Sequence, residues 1–264
     1  MLPGKIFASE MRRIILERSY HAHVGHIGSA LSVVDMIAAL YSGVLHIPNP
    51  TDPNRDRFIL SKGHAALALY AALSLKGWLT PEALASYCAD GTLLAVHPEP
   101  DLPTVDFATG SLGMGLSYGV GAALAAKLQG ANRRIFVLIS DAECNEGATW
   151  EAAMLASQHK LNNLTVLIDL NSQQALSHTH NILDATSMRE RWSAFGWDAH
   201  DISGHALAAL TNALKQTSDQ PRAFVAHTTF GRGVSFMENQ VKWHYWPMSA
   251  EEYQTALADI EQLV

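Results

Sequence analysis

Asp141 and Asn171 lie 30 residues apart, each just after a short apolar run. One carboxylate, one amide oxygen and nearby backbone carbonyls are hard oxygen ligands suited to Mg²⁺ or Ca²⁺. Either residue alone is equally at home in an ordinary turn, where Asp and Asn are common. Histidines offer a second chemistry. His26, His64, His97 and His244 sit beside glycine, proline or aromatic residues in segments that read as loops. Imidazole can donate to an anion or move a proton near neutral pH, and it can also simply pack. A third feature is TGSLGMG at 109–115, a glycine-rich turn that opens into a helix and contains Gly110 and Leu112. Glycine there lets the backbone approach a ligand closely.

These residues need elements to hold them. Ile135 to Ile139 is a continuous apolar run rich in branched side chains, the pattern of a strand buried on both faces of a parallel sheet. Glu146 to Lys160 has helical composition, and Thr165 to Ile168 is a second buried strand. A β-α-β unit puts both strand ends on one edge of the sheet, so Asp141 and Asn171 are expected to be neighbours. Upstream, helices are expected over 5–22, 33–43 and 65–76, with Ser29 or Ser32 capping the second and Pro81 opening another after Thr80. Phe58 to Leu60 is a short strand. Downstream, helices are expected over 184–195, 205–216 and 249–264, and strands over 197–202 and 223–227. Alternating strands and helices imply an α/β fold, a mainly parallel sheet with helices on both faces. No internal repeat, low-complexity tract or linker divides the chain, so a single domain over 1–264 is expected.

The net charge of −7 argues against sequence-independent nucleic-acid binding. A hydrophobic content of 48% with 16% charged residues describes a soluble protein with a large core. Two cysteines make no disulfide framework. No signal peptide and no run long enough for a membrane span is visible, so a cytoplasmic location is expected.

The loops occur in a particular order: GHIGSALS, DPNRDRFILSKGHAALALYAAL, HPEP, TGSLGMGL, SDAECNEGATWEA, NNLTVLIDLNSQQ, FGW, GRGVSFMEN and WH. Together they resemble the N-terminal, diphosphate-binding domain of transketolase over nearly the whole chain. RDRFILSKGHA is fairly specific and the ordered set is strong. Another doubly wound nucleotide-binding domain is disfavoured, because no G-x-G-x-x-G follows the first strand. The resemblance implies the thiamine diphosphate-binding fold, thiamine diphosphate as cofactor, and Mg²⁺ (or Ca²⁺) bridging its diphosphate to the protein. By position it implies Asp141, Asn171 and the backbone carbonyl of Gln173 as metal ligands. It places His64 and His244 on the diphosphate, Gly110, Leu112 and Ala142 beside the cofactor, and His26 and His97 at the sugar. Glu146 and Glu151 match glutamates at a subunit interface, or form a solvated helix face.

Three departures from the family pattern stand out. The usual Gly-Asp-Gly is Ser140-Asp141-Ala142, the proline after the first histidine is Ile27, and the usual Trp-His-Gly is Trp243-His244-Tyr245. If position 142 needs positive φ, its alanine costs about 1–2 kcal/mol; if not, almost nothing. The sequence ends after the first family domain. The implied function is therefore the N-terminal subunit of a split transketolase, transferring a two-carbon ketol unit from a ketose (phosphate) to an aldose. It would work only with a separate pyrimidine-domain subunit, as a heterotetramer. The alternative is a non-catalytic paralogue with weakened cofactor binding.

Overall fold

The computed structural model describes residues 2–102, 104–183 and 186–263. Helix α1 (Gly4–Ala22) buries Phe7, Met11 and Ile15, one every fourth residue, and ends where His23 turns left-handed at φ 51°. Helices α2 (Ile27–Ser32) and α3 (Val34–Ala39) follow, then a π turn over Leu40–Val44. The expected helix over 33–43 is thus α3 continued by the π turn, and α2 is a further helix that begins directly after His26, in place of the expected tight loop. Ser32 caps nothing. Its hydroxyl lies 2.9 Å from Ser29 O and 2.8 Å from Asp169 Oδ2. Such back-bonding competes with the helix ladder and bends it.

Strand β1 (Arg57–Leu60) leads through a tight turn into α4 (Ala66–Leu75). In α5 (Pro81–Ala85), Thr80 caps the Ala83 amide and proline takes the first position, as expected. Helix α6 (Met114–Leu128) opens from Gly113. Strand β2 (Ile135–Ser140), α7 (Gly147–Gln158) and β3 (Leu164–Leu170) form the central unit. Next come α8 (Thr179–Ile182), α9 (Met188–Ala194), β4 (Asp198–Ser203), α10 (Leu207–Lys215), β5 (Arg222–His227) and α11 (Ala250–Glu261). The helix expected over 184–195 starts only at Met188, and Asp184 and Ala185 lie outside the described residues. Helix α10 starts two residues late because the side chain of His205 bonds Asp35 Oδ2 and receives the Thr229 amide, each at 2.8 Å. Ser249 and Glu252 form a reciprocal capping box at the start of α11.

The five strands pair in the order β1-β2-β3-β5-β4, and every described pairing is parallel. Alternate residues face opposite layers. Phe136, Leu138, Leu167 and Phe224 pack with α1 to α4, α10 and α11, while Ile135, Val137, Val166 and Val225 pack with α6, α7 and α9. Helix α6 comes so close to β2 that a Cβ on Gly119 would lie 2.4 Å from Val137 Cγ2. Register pairs Ser140 with Asp169 and Leu170 with His227, so the carboxyl ends of β2, β3 and β5 are level. Ligands bind at that edge in sheets of this kind. Among the described residues, no helix is long and apolar enough to cross a membrane.

Candidate active site

The carboxyl ends of β1, β2 and β3 open into a cleft of about 490 Å³. Strand β2 ends at Ser140, and the next residue, Asp141, donates its amide to Asp169 O at 3.2 Å. The Asp141 carboxylate accepts the Ala142 amide at 2.9 Å and the Thr179 hydroxyl. Burial pushes its pKa up to about 7, with Asp169 adding; Thr179, Lys62 and the Ala142 amide oppose the rise. After β3, the Asn171 amide donates from Nδ2 to Asp169 Oδ2 at 2.8 Å and accepts the Gln173 amide at Oδ1 at 2.9 Å.

Three imidazoles stand over this floor. The ring centroids of His26, His64 and His244 are 5.1–5.4 Å apart. The His26 amide donates to His244 O at 3.0 Å, fixing the two loops together. All three pKa values are lowered, first by burial and then by neighbouring charges including Lys62; that of His244 falls to about 4. At neutral pH each ring is therefore neutral, with one nitrogen donating and one accepting.

The glycine-rich turn forms a wall. Thr109 Oγ1 donates to Leu60 O at 2.7 Å. Gly110 has φ 137°, and a Cβ there would lie 2.7 Å from His97 Cδ2, so only glycine fits. The buried Glu143 carboxylate ties the turn to both strands, accepting from the Gly113 amide at 3.0 Å, from the Ser140 amide at 2.8 Å and from the Ser61 hydroxyl.

His26, His64, His97, Gly110, Leu112, Asp141, Ala142, Asn171, Gln173 and His244, all singled out in the sequence, line this one cleft. Glu146 lines it too, as the residue preceding α7, whereas Glu151 is exposed on that helix. The family described as "Transketolase, thiamine diphosphate binding domain" matches residues 5–259. The chain belongs to the transketolase family. It is 38% identical over 258 residues to an apulose-4-phosphate transketolase subunit of Phocaeicola vulgatus, covering 96% of this chain and 92% of that protein. It is 36% identical over 261 residues to the 6-deoxy-6-sulfo-D-fructose transketolase subunit SqwG of a Clostridium species, covering 97% and 95%. The crystal structure of Campylobacter jejuni transketolase superposes with a TM-score of 0.89 at 30% identity. That match covers 99% of this chain and 43% of the Campylobacter chain, so this member spans less than half the length of that transketolase.

Within the transketolase frame, the departure at position 142 is resolved. Ala142 is not among the described residues with positive φ and opens a short 3₁₀ turn, so its methyl group carries no backbone strain. Three residues escaped the sequence reading. Lys62 and Asp169 form a fully buried ion pair at 2.6 Å, and Lys62 lines the cleft. Glu143 holds the glycine turn. Only the SKGH motif and a carboxylate inside the apolar run VLIDL hinted at them.

The donor set suits a diphosphate and a hard cation. His26 Nδ1, Gln173 Oε1 and Gln174 Nε2 are buried in residues lining the cleft without a hydrogen-bond partner among the described residues. Buried polar atoms are rarely left so unless a ligand or water meets them. No group of three or more His, Cys, Asp or Glu side chains is placed to hold a metal among the described residues. One carboxylate with neutral oxygens is the kind of partial shell that Mg²⁺ completes with phosphate and water.

Leu176, in the lining, is 85% exposed; Leu183, next to Ile182 of the lining, is 56% exposed, and Trp246, two residues beyond His244, 62%. The Tyr245 hydroxyl donates to Ala175 O at 3.1 Å, strapping the loop that carries His244 to the turn after β3.

Proposed function

We propose that residues 1–264 act as one unit, the diphosphate-binding subunit of a two-polypeptide transketolase. It moves a two-carbon ketol unit from a ketose, free or phosphorylated, to an aldose. Supporting this are relatives of nearly the same length that are named as transketolase subunits. The observation that carries the proposal is the convergence of ten family positions in one cleft in which three buried polar atoms lack partners among the described residues.

Asp141, the Asn171 amide oxygen and the Gln173 carbonyl would hold Mg²⁺ (or Ca²⁺), and His64 and His244 would donate to diphosphate oxygens. Thiamine diphosphate, when bound, supplies the electron sink for breaking and making the carbon–carbon bond. His26 and His97 would pass protons to and from the sugar's hydroxyl and carbonyl oxygens. For His26 the neutral form follows from burial and the charges of His97 and Lys62. Gly110 and Leu112 would bring the wall against the cofactor. The exposed Leu176 in the lining, with Leu183 and Trp246 close in sequence to lining residues, suits a second polypeptide carrying the pyrimidine-binding half. Pairing through Glu146, just before α7, and Glu151 on α7 would complete a cytoplasmic heterotetramer. Ala142 gives no support to a non-catalytic paralogue, because it fits its place without strain.

The test is a ketol-transfer assay with thiamine diphosphate and Mg²⁺, run on the purified chain with and without a pyrimidine-domain subunit. Turnover is expected only with both polypeptides. Robust turnover by this chain alone would contradict the proposal.

A further inference from the structure

Asn171 presents an asymmetric group to the cleft. Its Oδ1 can ligate a cation and its Nδ2 cannot. Which end faces which way is decided by its neighbours. Asp169 Oδ2, an acceptor only, lies 2.8 Å from Nδ2, and the Gln173 amide, a donor only, lies 2.9 Å from Oδ1. A reversed amide would oppose oxygen to oxygen and N–H to N–H. Asp169 itself cannot turn away. It is 0% exposed and pinned by Lys62 Nζ at 2.6 Å, Ser32 Oγ at 2.8 Å and the Thr228 hydroxyl. Its partners come from four segments: the end of α2, the turn after β1, the turn after β3 and the residue after β5.

We propose that Asp169 is a positioning residue that holds the Asn171 amide with its oxygen available to the metal, so that its Oδ2 sets cation affinity without touching the cation. Lys62 Nζ and Ser32 Oγ donate to the same Oδ2 that receives Asn171 Nδ2, so an acceptor oxygen is held at that place, and the other oxygen faces the Thr228 hydroxyl. An apolar side chain at position 169 offers no acceptor, so Asn171 would no longer have a preferred orientation. Partners that orient metal ligands are commonly worth about 10–100-fold in metal affinity.

This inference rests on the metal site of the proposed function. The test is calorimetric titration of Mg²⁺ into the full chain at saturating thiamine diphosphate, with folding checked by circular dichroism. Asp169→Leu is expected to weaken Mg²⁺ binding by about 10–100-fold. Asp169→Asn keeps an acceptor oxygen towards Lys62, Ser32 and Asn171 and turns its Nδ2 to the Thr228 hydroxyl, so it should bind as wild type. If Asp169→Leu fails to fold, Asp169→Asn decides: folded and binding as wild type supports the inference, folded and weakened by about tenfold or more overturns it. A wild-type chain that takes up no Mg²⁺ overturns both the metal site and this inference. A folded Asp169→Leu that binds as wild type overturns this inference alone.

Discussion

Arg12 and Asp35 join α1 to α3 with N–O distances of 3.2 and 2.6 Å, and His205 adds a third partner at 2.8 Å. Lys62 and Asp169 join the turn after β1 to β3 at 2.6 Å. Both are buried ion pairs beside the same layer of helices. Their company differs. Around Arg12 and Asp35 the bonds are internal: His205 takes the Thr229 amide on its other nitrogen, and one buried atom, Arg12 Nε, lacks a partner. Lys62 and Asp169 reach Asn171, underlie three lowered histidines, and share the cleft with buried polar atoms from three residues that have no partner. A buried ion pair is weak evidence of function by itself. Both regions border a concave space, of about 520 Å³ beside Arg12, Asp35 and His205 and about 490 Å³ at the cleft; what separates them is the unmet hydrogen-bonding capacity, one buried atom against three.

If the first cluster only holds helices together, removing one partner should damage the fold and leave ligand binding alone. Asp35→Ala is expected to cost about 3–5 kcal/mol of stability, read by urea denaturation, because it strands a buried guanidinium. Thiamine diphosphate affinity of the folded variant should match wild type. A loss of cofactor binding with stability intact would break the distinction.

Acid should separate the clusters next, by pH window. His26, His64 and His244 have folded pKa values below the ordinary 6.5, that of His244 near 4. The unfolded chain takes up these protons first, so stability is full above about pH 6.5 and declines as pH falls toward 4. Asp35 acts in the same direction but in a lower pH window. Burial would raise its pKa, but the His205 hydrogen bond and the Arg12 charge outweigh it and hold the carboxyl below its usual range. Its contribution is present above about pH 4 and is lost only as pH falls through the lowered value. Thermal melts of the cofactor-free chain should show His64→Asn flattening the upper window. The gap between wild type and Asp35→Asn should stay constant there and narrow only at lower pH. A gap that closes in the histidine window would join two clusters held apart here.

The smallest effect is expected at the rim. Tyr245→Phe removes one exposed hydrogen bond to Ala175, worth about 0.5–1.5 kcal/mol, and should weaken cofactor binding by at most about tenfold. A larger loss would make the strap part of the site rather than its border.

Much of this architecture is legible in the sequence, for local reasons. The runs that become β2 and β3 are apolar because both faces are covered, and Thr80-Pro81 announces a helix start through its own cap. The cleft residues lie in loops with recognisable spacing, and all ten meet. What stayed hidden depends on distance along the chain. Asp169 sits inside an apolar run, and three of its partners are 137, 107 and 59 residues away, so no local pattern marks it. The break at Val33 is hidden for the same cause, since the Ser32 hydroxyl beside it answers to Asp169. Ala142 read as a risk because the family motif has glycine there, and only the backbone angles remove it.

The account rests on the cleft binding thiamine diphosphate through a cation held at Asp141. The most direct measurement is calorimetric titration of the chain with thiamine diphosphate, with Mg²⁺ and with chelator, for wild type and Asp141→Ala. Saturable, Mg²⁺-dependent binding by wild type, absent in a folded Asp141→Ala, is the predicted result. Binding that persists in chelator or in the folded variant would contradict it.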